Sequence, residues 1–296
     1  MSFSQIYSAI SRRFSVKILT IFSLLLSVNC YAQNSNINSS SNTESTSLNS
    51  NNTAGEAPKS SDFKIRQSIK FVPASEEEKD RVKSIPENET ELLEYIIEEA
   101  KTSKKLELSA IAHEKIANFQ PSFQNYYDLA VSQGAIGDFS NAVISCSNAL
   151  EEGSGEELLY MYCHVLKGIF LGASDLYEDA ADELMIVLKS DDVETKVFVF
   201  QDLVPPPVYT VLKTNIENEI KNDSENYRWL LYLGRLYQTL GDYKNAIEVY
   251  KDCYDKSNEF SFLKLISDCY DKAGDEKSAK YYHDKYESIL HDIIFK

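Results

Sequence analysis

The histidines of this chain, the residue type most often used for acid–base catalysis and metal binding, are few and widely separated. The four histidines form no H-x-x-x-H or H-E-x-x-H pattern, and no carboxylate is spaced as a metal partner on the same helix face. The chain also lacks the glycine-rich loops that bind phosphates and the G-x-S-x-G motif of serine nucleophiles. The sequence therefore predicts no catalytic site, no metal site and no cofactor. The histidines are His113, His164, His283 and His291.

The carboxylates are numerous, but their arrangement favours a solvated surface over paired catalytic groups. The chain carries 46 acidic and 30 basic residues, a formal net charge of −16 at pH 7. Runs such as Glu76-Glu77-Glu78 and Glu98-Glu99 are typical of exposed helix faces. Because an acidic surface repels phosphate backbones and no basic stripe with interleaved aromatic residues is visible, we expect no nucleic-acid partner.

Four of the five cysteines flank two predicted turns between helices. Antiparallel helices folded about these turns would bring each pair of thiols close together. In an oxidising compartment the pairs could form disulfides, but a small buried cysteine also packs well without a partner, and the spacing supports both readings. The candidate disulfides are Cys146–Cys163, across the turn at 153–155, and Cys253–Cys269, across the turn at 257–260.

A pattern of small and apolar residues recurs along the chain. In its clearest copy Leu230, Leu233, Gly234 and Tyr237 precede a Gly241-Asp242-Tyr243 turn, and Ala246 and Tyr250 follow it. The apolar residues lie three and four apart and so share one helix face, while Gly241 can adopt the positive φ that ends a helix. The pattern returns 33 residues later as Tyr270, Gly274-Asp275 and Ala279, and it occurs upstream as Leu129-Ala130, Gly137-Asp138-Phe139 and Ala142.

This spacing resembles the tetratricopeptide repeat (TPR), a helix-turn-helix unit of about 34 residues. The resemblance implies an all-α fold: a TPR helical-hairpin solenoid, coiled as a right-handed superhelix, behind a disordered N-terminal segment. The solenoid is predicted over 90–293. Its clearest repeats are 123–156, 227–259 and 260–293, and its degenerate repeats are 90–122, 161–193 and 194–226, the last with Pro205-Pro206-Pro207 in place of the Gly-Asp turn.

The N-terminal residues have the pattern of a signal peptide. Arg12, Arg13 and Lys17 precede an apolar run at 18–28 that is short for a membrane span, and small residues precede Gln33. We therefore expect residues 1–32 to be removed from an exported protein, and the junction resembles that of secreted proteins of Bacteroidetes-type bacteria. The alternatives are lipidation at Cys30 and a mitochondrial transit peptide. No later segment is apolar enough to span a membrane.

Two further segments precede the repeats. Residues 33–61 are almost all Ser, Asn and Thr, which predicts a disordered linker. Residues 62–89 are predicted to cap the exposed end of the first repeat. Within them the alternation of Phe63, Ile65, Ile69 and Phe71 indicates a short extended segment, and Ser75 with Glu78 fits a helix capping box.

The TPR resemblance also implies a binding surface, because the first helices of such repeats line a concave groove for a protein or peptide partner. Arg228, Arg235 and Lys264 would form a cationic spot there, suited to a carboxylate or an acidic segment, unless they merely balance neighbouring acids. In earlier repeats the same surface is apolar, which implies a bound segment from a partner or from this chain's own 205–207 region. These apolar residues are Tyr127, Val131, Val165 and Ile169.

Two functions are compatible with this pattern. The first is a non-catalytic scaffold or adaptor, not an enzyme, that holds a partner segment in the groove. The alternative is a ligand-binding protein or enzyme whose pocket is built by the atypical 194–226 segment. The polar residues available there are Asp202, Tyr209 and Lys213.

Overall fold

The computed structural model of the protein describes residues 71–153, 156–191, 193–201 and 203–295. These residues form helices and no strand. The predicted signal peptide, Cys30, the Ser/Asn-rich residues 33–61 and residues 62–70 of the predicted capping segment lie outside the described residues. The helices are α1 (Glu76–Ser84), α2 (Thr90–Ser103), α3 (Leu106–Phe119), α4 (Phe123–Ala135), α5 (Phe139–Glu152), α6 (Glu157–Ala173), α7 (Tyr177–Lys189), α8 (Val193–Val199), α9 (Pro206–Asn222), α10 (Tyr227–Thr239), α11 (Tyr243–Ser257), α12 (Ser261–Lys272) and α13 (Glu276–Phe295).

From α2 onward the helices follow one another in pairs, each joined by a short turn. Except for α8 and α9, the two helices of each pair pack against each other; α8 packs instead against α6 and α7, and α9 packs against α7 and α10. This all-helical arrangement of stacked helix pairs confirms the fold class predicted from the repeats.

The Gly-Asp turns have the same geometry in every clear repeat. Gly137, Gly241 and Gly274 have φ values of 83°, 75° and 80°, the left-handed region that a side chain disfavours. In the middle turn the Asp242 amide donates to the carbonyl oxygen of Tyr237, and in the last the Asp275 amide donates to that of Tyr270, over 2.8 and 2.9 Å. The equivalence predicted for these turns is therefore confirmed.

The turn between α6 and α7 reproduces this geometry without glycine. Asp175 takes the left-handed conformation with φ 62°, and the Leu176 amide donates to the carbonyl oxygen of Leu171. Aspartate tolerates this region better than most residues with a side chain. The degenerate repeat thus keeps the helix-ending turn although its sequence signal is weak.

The helix pair α8–α9 is irregular. Its first helix has only seven residues, and α9 begins at Pro206, whose missing amide hydrogen is not needed in a first helical turn. Leu203 and Val204, between the helices, are buried. A Cβ atom on Gly172 of α6 would lie 3.1 Å from Cδ of Pro205 and from Cγ2 of Val208, so the segment packs tightly against α6.

The chain divides into two compact units between Gly153 and Ser154. In the first unit one buried cluster joins α1, α2 and α3 through Val82, Leu93, Ile97 and Ile116. In the second unit another buried cluster joins α11 and α12, with residues of α10 and α13 packed against it. Each unit therefore has a hydrophobic core of its own.

The residues just before α1 connect it to the first helix pair. The Val72 amide donates to the carbonyl oxygen of Lys104 at the end of α2, and the Ala74 amide donates to Oε2 of Glu107 on α3. Ser75 and Glu78 form the reciprocal capping box expected from the sequence. In the part of the chain described, no helix has both the length and the apolar character needed to cross a bilayer.

Candidate functional site

His113 and Ser132 form the contact that most resembles a catalytic pair. Nδ1 of His113 lies 2.7 Å from the Ser132 hydroxyl oxygen, but that hydroxyl donates its only proton to the carbonyl oxygen of Asp128, also at 2.7 Å. The imidazole must then be the donor to Ser132, the reverse of the polarity that activates a nucleophile. Burial lowers the pKa of His113, with a smaller opposing effect of the Asp128 charge. We interpret the pair as a link between α3 and α4.

A second polar cluster joins α6 to α7. One carboxylate oxygen of Glu183 lies 2.6 Å from Nδ1 of His164, and the other lies 2.7 Å from Nζ of Lys167. Burial alone would raise the pKa of Glu183, but the hydrogen bonds from His164 and Lys167 lower it below its usual value. Both oxygens are thus occupied by groups of the neighbouring helix. Among the residues that the structure describes, no three His, Cys, Asp or Glu side chains converge as a metal site would require.

The predicted arginines lie on α10 and face different surroundings. Arg228 is exposed, whereas Arg235 is half-buried. Burial raises the pKa values of Tyr250 and Cys269, and the positive charge of Arg235 acts in the opposite direction on both. Within the described parts of the chain, neither arginine has a carboxylate oxygen within 4.0 Å.

Lys264, the third predicted cation, is already paired. Its Nζ lies 3.3 Å from Oδ1 of Asp268, one turn further along α12, and both side chains are about half exposed. A pair of this kind is weak but neutralises the local charge. The cationic surface expected from the sequence therefore reduces to the two arginines.

The predicted apolar surface is less open than expected. Tyr127 is 6% exposed and Val165 is 3% exposed, so both belong to the interior, while Val131 and Ile169 are half-buried. Tyr127 stacks on Phe123 of its own helix. Their burial removes Tyr127 and Val165 from the surface that a partner could contact directly.

In the second unit, two aromatic side chains of the repeats are covered by phenylalanines in and just after α8. Phe198 of α8 lies against the ring of Tyr162 on α6, with ring centroids 5.1 Å apart. Phe200, just beyond α8, stacks on Tyr232 of α10, and its carbonyl oxygen accepts a hydrogen bond from the Thr239 hydroxyl. These contacts involve Tyr162 and Tyr232, so the segment expected over Val131 and Ile169, from a partner or from residues 205–207, stays a prediction.

The residues suggested for a pocket in 194–226 have other roles. Tyr209 is only 1% exposed and belongs to the core. Nζ of Lys213 lies 5.5 Å from the ring centroid of Tyr237 and 3.8 Å from Oε1 of Glu217. Asp202 lies outside the described residues.

The four cysteines among the described residues are all buried. Cys253 and Cys269 are free thiols in the α10–α13 core, and the disulfide suggested for them is not formed in this structure. Burial raises their thiol pKa values to about 12 and about 11. Cys146 and Cys163 belong to different units, and their pairing stays a prediction.

Sequence reasoning missed a groove of about 490 Å³ in the first unit, between α3, α4 and α5. It is lined by the exposed apolar side chains of Ile136 and Ile144, on either side of the Gly137 turn. Its two lysines already have acidic partners, Lys79 with Glu76 and Glu107, and Lys83 with Asp80. The available signal was the pair of isoleucines on either side of the Gly137-Asp138 turn.

No protein-family model matches the chain, and neither does any curated protein. Solved structures do match. MamA from Desulfovibrio magneticus is 14% identical over 69% of this chain and 96% of that chain, with a TM-score of 0.32. A tetratricopeptide repeat protein from Parabacteroides merdae is 13% identical over 67% of this chain and 79% of that chain, with a TM-score of 0.35.

A third match is YrrB, described as a TPR protein with an unusual peptide-binding site. It is 13% identical over 62% of this chain and 94% of that chain, with a TM-score of 0.30. Two of these three proteins are described as tetratricopeptide repeat proteins, but the scores are too low to transfer a site.

Proposed function

We propose that this protein is a non-catalytic interaction protein, and that α10 holds an acidic segment of a partner polypeptide. The observation that supports the proposal is that neither Arg228 nor Arg235 has an ion-pair partner among the described residues. They lack one although the whole chain carries a net charge of −16. Arginines of an acidic protein that lack an internal partner are available to an external one.

The spacing of the arginines suits an extended acidic segment. They are seven residues apart on one helix, which is about 10 Å along its axis and places them on the same face. Residues two and four positions apart on one side of an extended peptide are about 7 and 13 Å apart, and the long arginine side chains can reach either separation. Because guanidinium groups bind carboxylates through two parallel hydrogen bonds, each arginine can fix one acidic side chain.

An apolar group accompanies the charges. Leu231 lies between the arginines in sequence and is half-buried, whereas Tyr232 is buried and stacked by Phe200. A ligand that alternates acidic and apolar residues would use both kinds of contact. Since Lys264 is neutralised by Asp268, we assign it a minor part.

A fluorescence anisotropy titration tests the proposal with two labelled peptides, one alternating Glu and Leu and one alternating Gln and Leu. We expect the acidic peptide to bind more tightly, with an affinity that falls as salt rises because exposed charges are screened over about 10 Å at 0.1 M salt. Replacing both arginines by alanine should weaken the acidic peptide by about tenfold or more, as two charge-assisted contacts are lost.

The matched control is the double variant Lys277→Ala/Lys280→Ala, which removes two exposed positive charges from α13. It changes the net charge equally and should leave the affinity for the acidic peptide nearly unchanged. Equal binding of both peptides, or equal losses in the two double variants, would contradict the assignment to α10.

We further propose that the protein is exported, which the basic, apolar and small-residue pattern of residues 1–32 supports. N-terminal sequencing of protein from its native host should give a start at Gln33. A lipid-modified start at Cys30 would indicate a membrane-anchored protein instead, and retention of residues 1–32 would contradict export.

A further inference from the structure

The exposed face of α2 combines large apolar side chains with a row of carboxylates. Leu92 is 45% exposed and Tyr95 is 67% exposed, and they lie three residues apart on one helix face. Glu99 continues this face one turn beyond Tyr95, and Glu91 and Glu94 flank it. We call this surface, formed by Glu91, Leu92, Glu94, Tyr95 and Glu99, the α2 face.

The charges on the α2 face are not balanced internally. On α2 the ion pair recorded among the described residues joins Glu98 to Lys101 at 2.8 Å, and it leaves Glu91, Glu94 and Glu99 without a basic partner within 4.0 Å. A surface with exposed Leu and Tyr beside three uncompensated carboxylates complements a ligand that is both apolar and basic.

The chain itself contains such a segment. Residues 63–70 read FKIRQSIK, with Phe63, Ile65 and Ile69 alternating with Lys64, Arg66 and Lys70, and with no acidic residue. In an extended conformation the apolar residues share one side, and the long basic side chains can fold over toward flanking acids while their stems cover apolar surface. In a chain with a net charge of −16 this segment is locally basic.

Its attachment point is next to the α2 face. The Val72 amide is hydrogen-bonded to the carbonyl oxygen of Lys104, just beyond the last residue of α2. From Lys104 back to Leu92 is twelve residues of helix, or about 18 Å, whereas eight extended residues span about 26 Å. Residues 63–70 are thus long enough to run along the whole face, and a tether this short gives an effective concentration in the millimolar range.

We propose that residues 63–70 bind the α2 face of their own chain, with Phe63, Ile65 and Ile69 covering Leu92 and Tyr95 and the basic residues meeting Glu91, Glu94 and Glu99. Residues 63–70 would then be an internal ligand of the first unit, that is, a segment of the same chain that covers the α2 face. The inference is independent of the proposed function of α10, because it rests on other residues in the other unit.

Limited digestion of the full chain with trypsin tests this, because trypsin cleaves after lysine and arginine. Lys64, Arg66 and Lys70 lie in the segment, and Lys59 precedes it as an internal reference. The cleavage rate at each bond in the chain is divided by the cleavage rate at the same bond in a synthetic peptide of residues 57–73, which corrects for the sequence preference of trypsin. We expect the three bonds in the segment to be cut about tenfold more slowly than the Lys59 bond, since cleavage follows the fraction of unbound segment.

The variant Leu92→Ser/Tyr95→Ser removes the apolar contacts from exposed positions, and circular dichroism verifies that its helices are retained. It should bring the three corrected rates close to that of the Lys59 bond. The matched control, Tyr281→Ser, changes a tyrosine of similar exposure on α13 and should leave the protection unchanged.

Equal corrected rates in the parent chain, or protection that survives in the α2 variant, would overturn the proposal. Protection that disappears on dilution of the protein would also overturn it, because binding would then be to a second copy. Protection that is lost in the α2 variant and is independent of protein concentration would support the internal ligand.

Discussion

Gly234 of α10 lies directly against the ring of Tyr250 on α11. A Cβ atom placed on Gly234 would be only 2.4 Å from Cε1 and 2.7 Å from Cδ1 of that tyrosine. Tyr250 is completely buried, and its hydroxyl donates to Oε1 of Gln238 at 3.1 Å, so the ring has little freedom to move away. The small residue expected at 234 from the repeat spacing is therefore required by one identifiable contact.

We expect Gly234→Ala to lower the free energy of unfolding by about 1–3 kcal/mol, because the added methyl group overpacks the helix pair. This loss opposes the gain of about 1 kcal/mol that alanine normally brings to a helix interior. Urea denaturation followed by circular dichroism measures the change. The double variant Gly234→Ala/Tyr250→Leu should lose less than the sum of the two single variants, since the two residues share the contact.

Gly241→Ala should also destabilise the protein, but for a different reason. A Cβ atom there would meet no other atom within 4 Å, yet φ is 75°. The cost of about 1 kcal/mol is conformational strain. Gly241→Asn should cost less than Gly241→Ala, because asparagine enters the left-handed region more readily. An asparagine variant less stable than the alanine variant would contradict this explanation.

The capping box at the start of α1 should make the first unit sensitive to acid. The hydrogen bond from Lys105 lowers the pKa of Glu78 to about 2, with a further contribution from the Ser75 amide. A carboxylate with a lowered folded-state pKa contributes stability above its unfolded pKa of about 4.5 and loses it as the pH falls toward 2. The Tm advantage of the parent over Glu78→Gln should therefore shrink from pH 6 to pH 3, with Glu77→Gln as the control from the same helical turn.

Cys253 and Cys269 should be unreactive in the folded protein. Both are completely buried, and their raised pKa values keep the thiols protonated at pH 8. Iodoacetamide should therefore leave them unmodified until guanidinium unfolds the chain, after which mass spectrometry should find both alkylated without prior reduction. If alkylation of the unfolded chain required a reductant, the two cysteines would form a disulfide after all.

Glu183→Gln should be among the more damaging single substitutions in the second unit. It removes the negative charge that His164 and Lys167 share, and the side chains of His164 and Glu183 are only 9% and 13% exposed. We expect a loss of about 2–3 kcal/mol in the free energy of unfolding, which is below the usual cost of a fully buried pair because Lys167 is 20% exposed. Glu178→Gln, on the exposed side of the same helix, should be nearly neutral.

The regular part of the fold could be predicted because its signals are local. A glycine followed by aspartate ends one helix and caps the next, and Asp242 does so by accepting a hydrogen bond from the Asn245 amide. These interactions involve residues within a few positions of each other. The seven-residue α8 carries no such signal, and the residues beyond it, Val204 and Pro205, pack against Gly172 of α6, which is distant in sequence.

The candidate site was harder to predict because exposure depends on distant parts of the chain. Tyr127 and Val165 occupy positions that are open in an ideal repeat, but here they are buried. The pairing of Lys264 with Asp268, by contrast, was readable from their spacing of four residues. Spacing thus identifies which helix face a residue occupies but not what covers that face.

The stacking of Phe200 on Tyr232 sets a limit on any ligand of α10. Phe200 and Lys196 already lie against that ring, with centroids 6.0 Å apart in the first case and Nζ 5.8 Å from the centroid in the second. A peptide lying across α10 from the α12 side is therefore blocked at Tyr232 by Phe200 and Lys196. Such a site would select a segment by its length as well as by its charge. It would favour chain ends and short linear segments over the interior of a long strand.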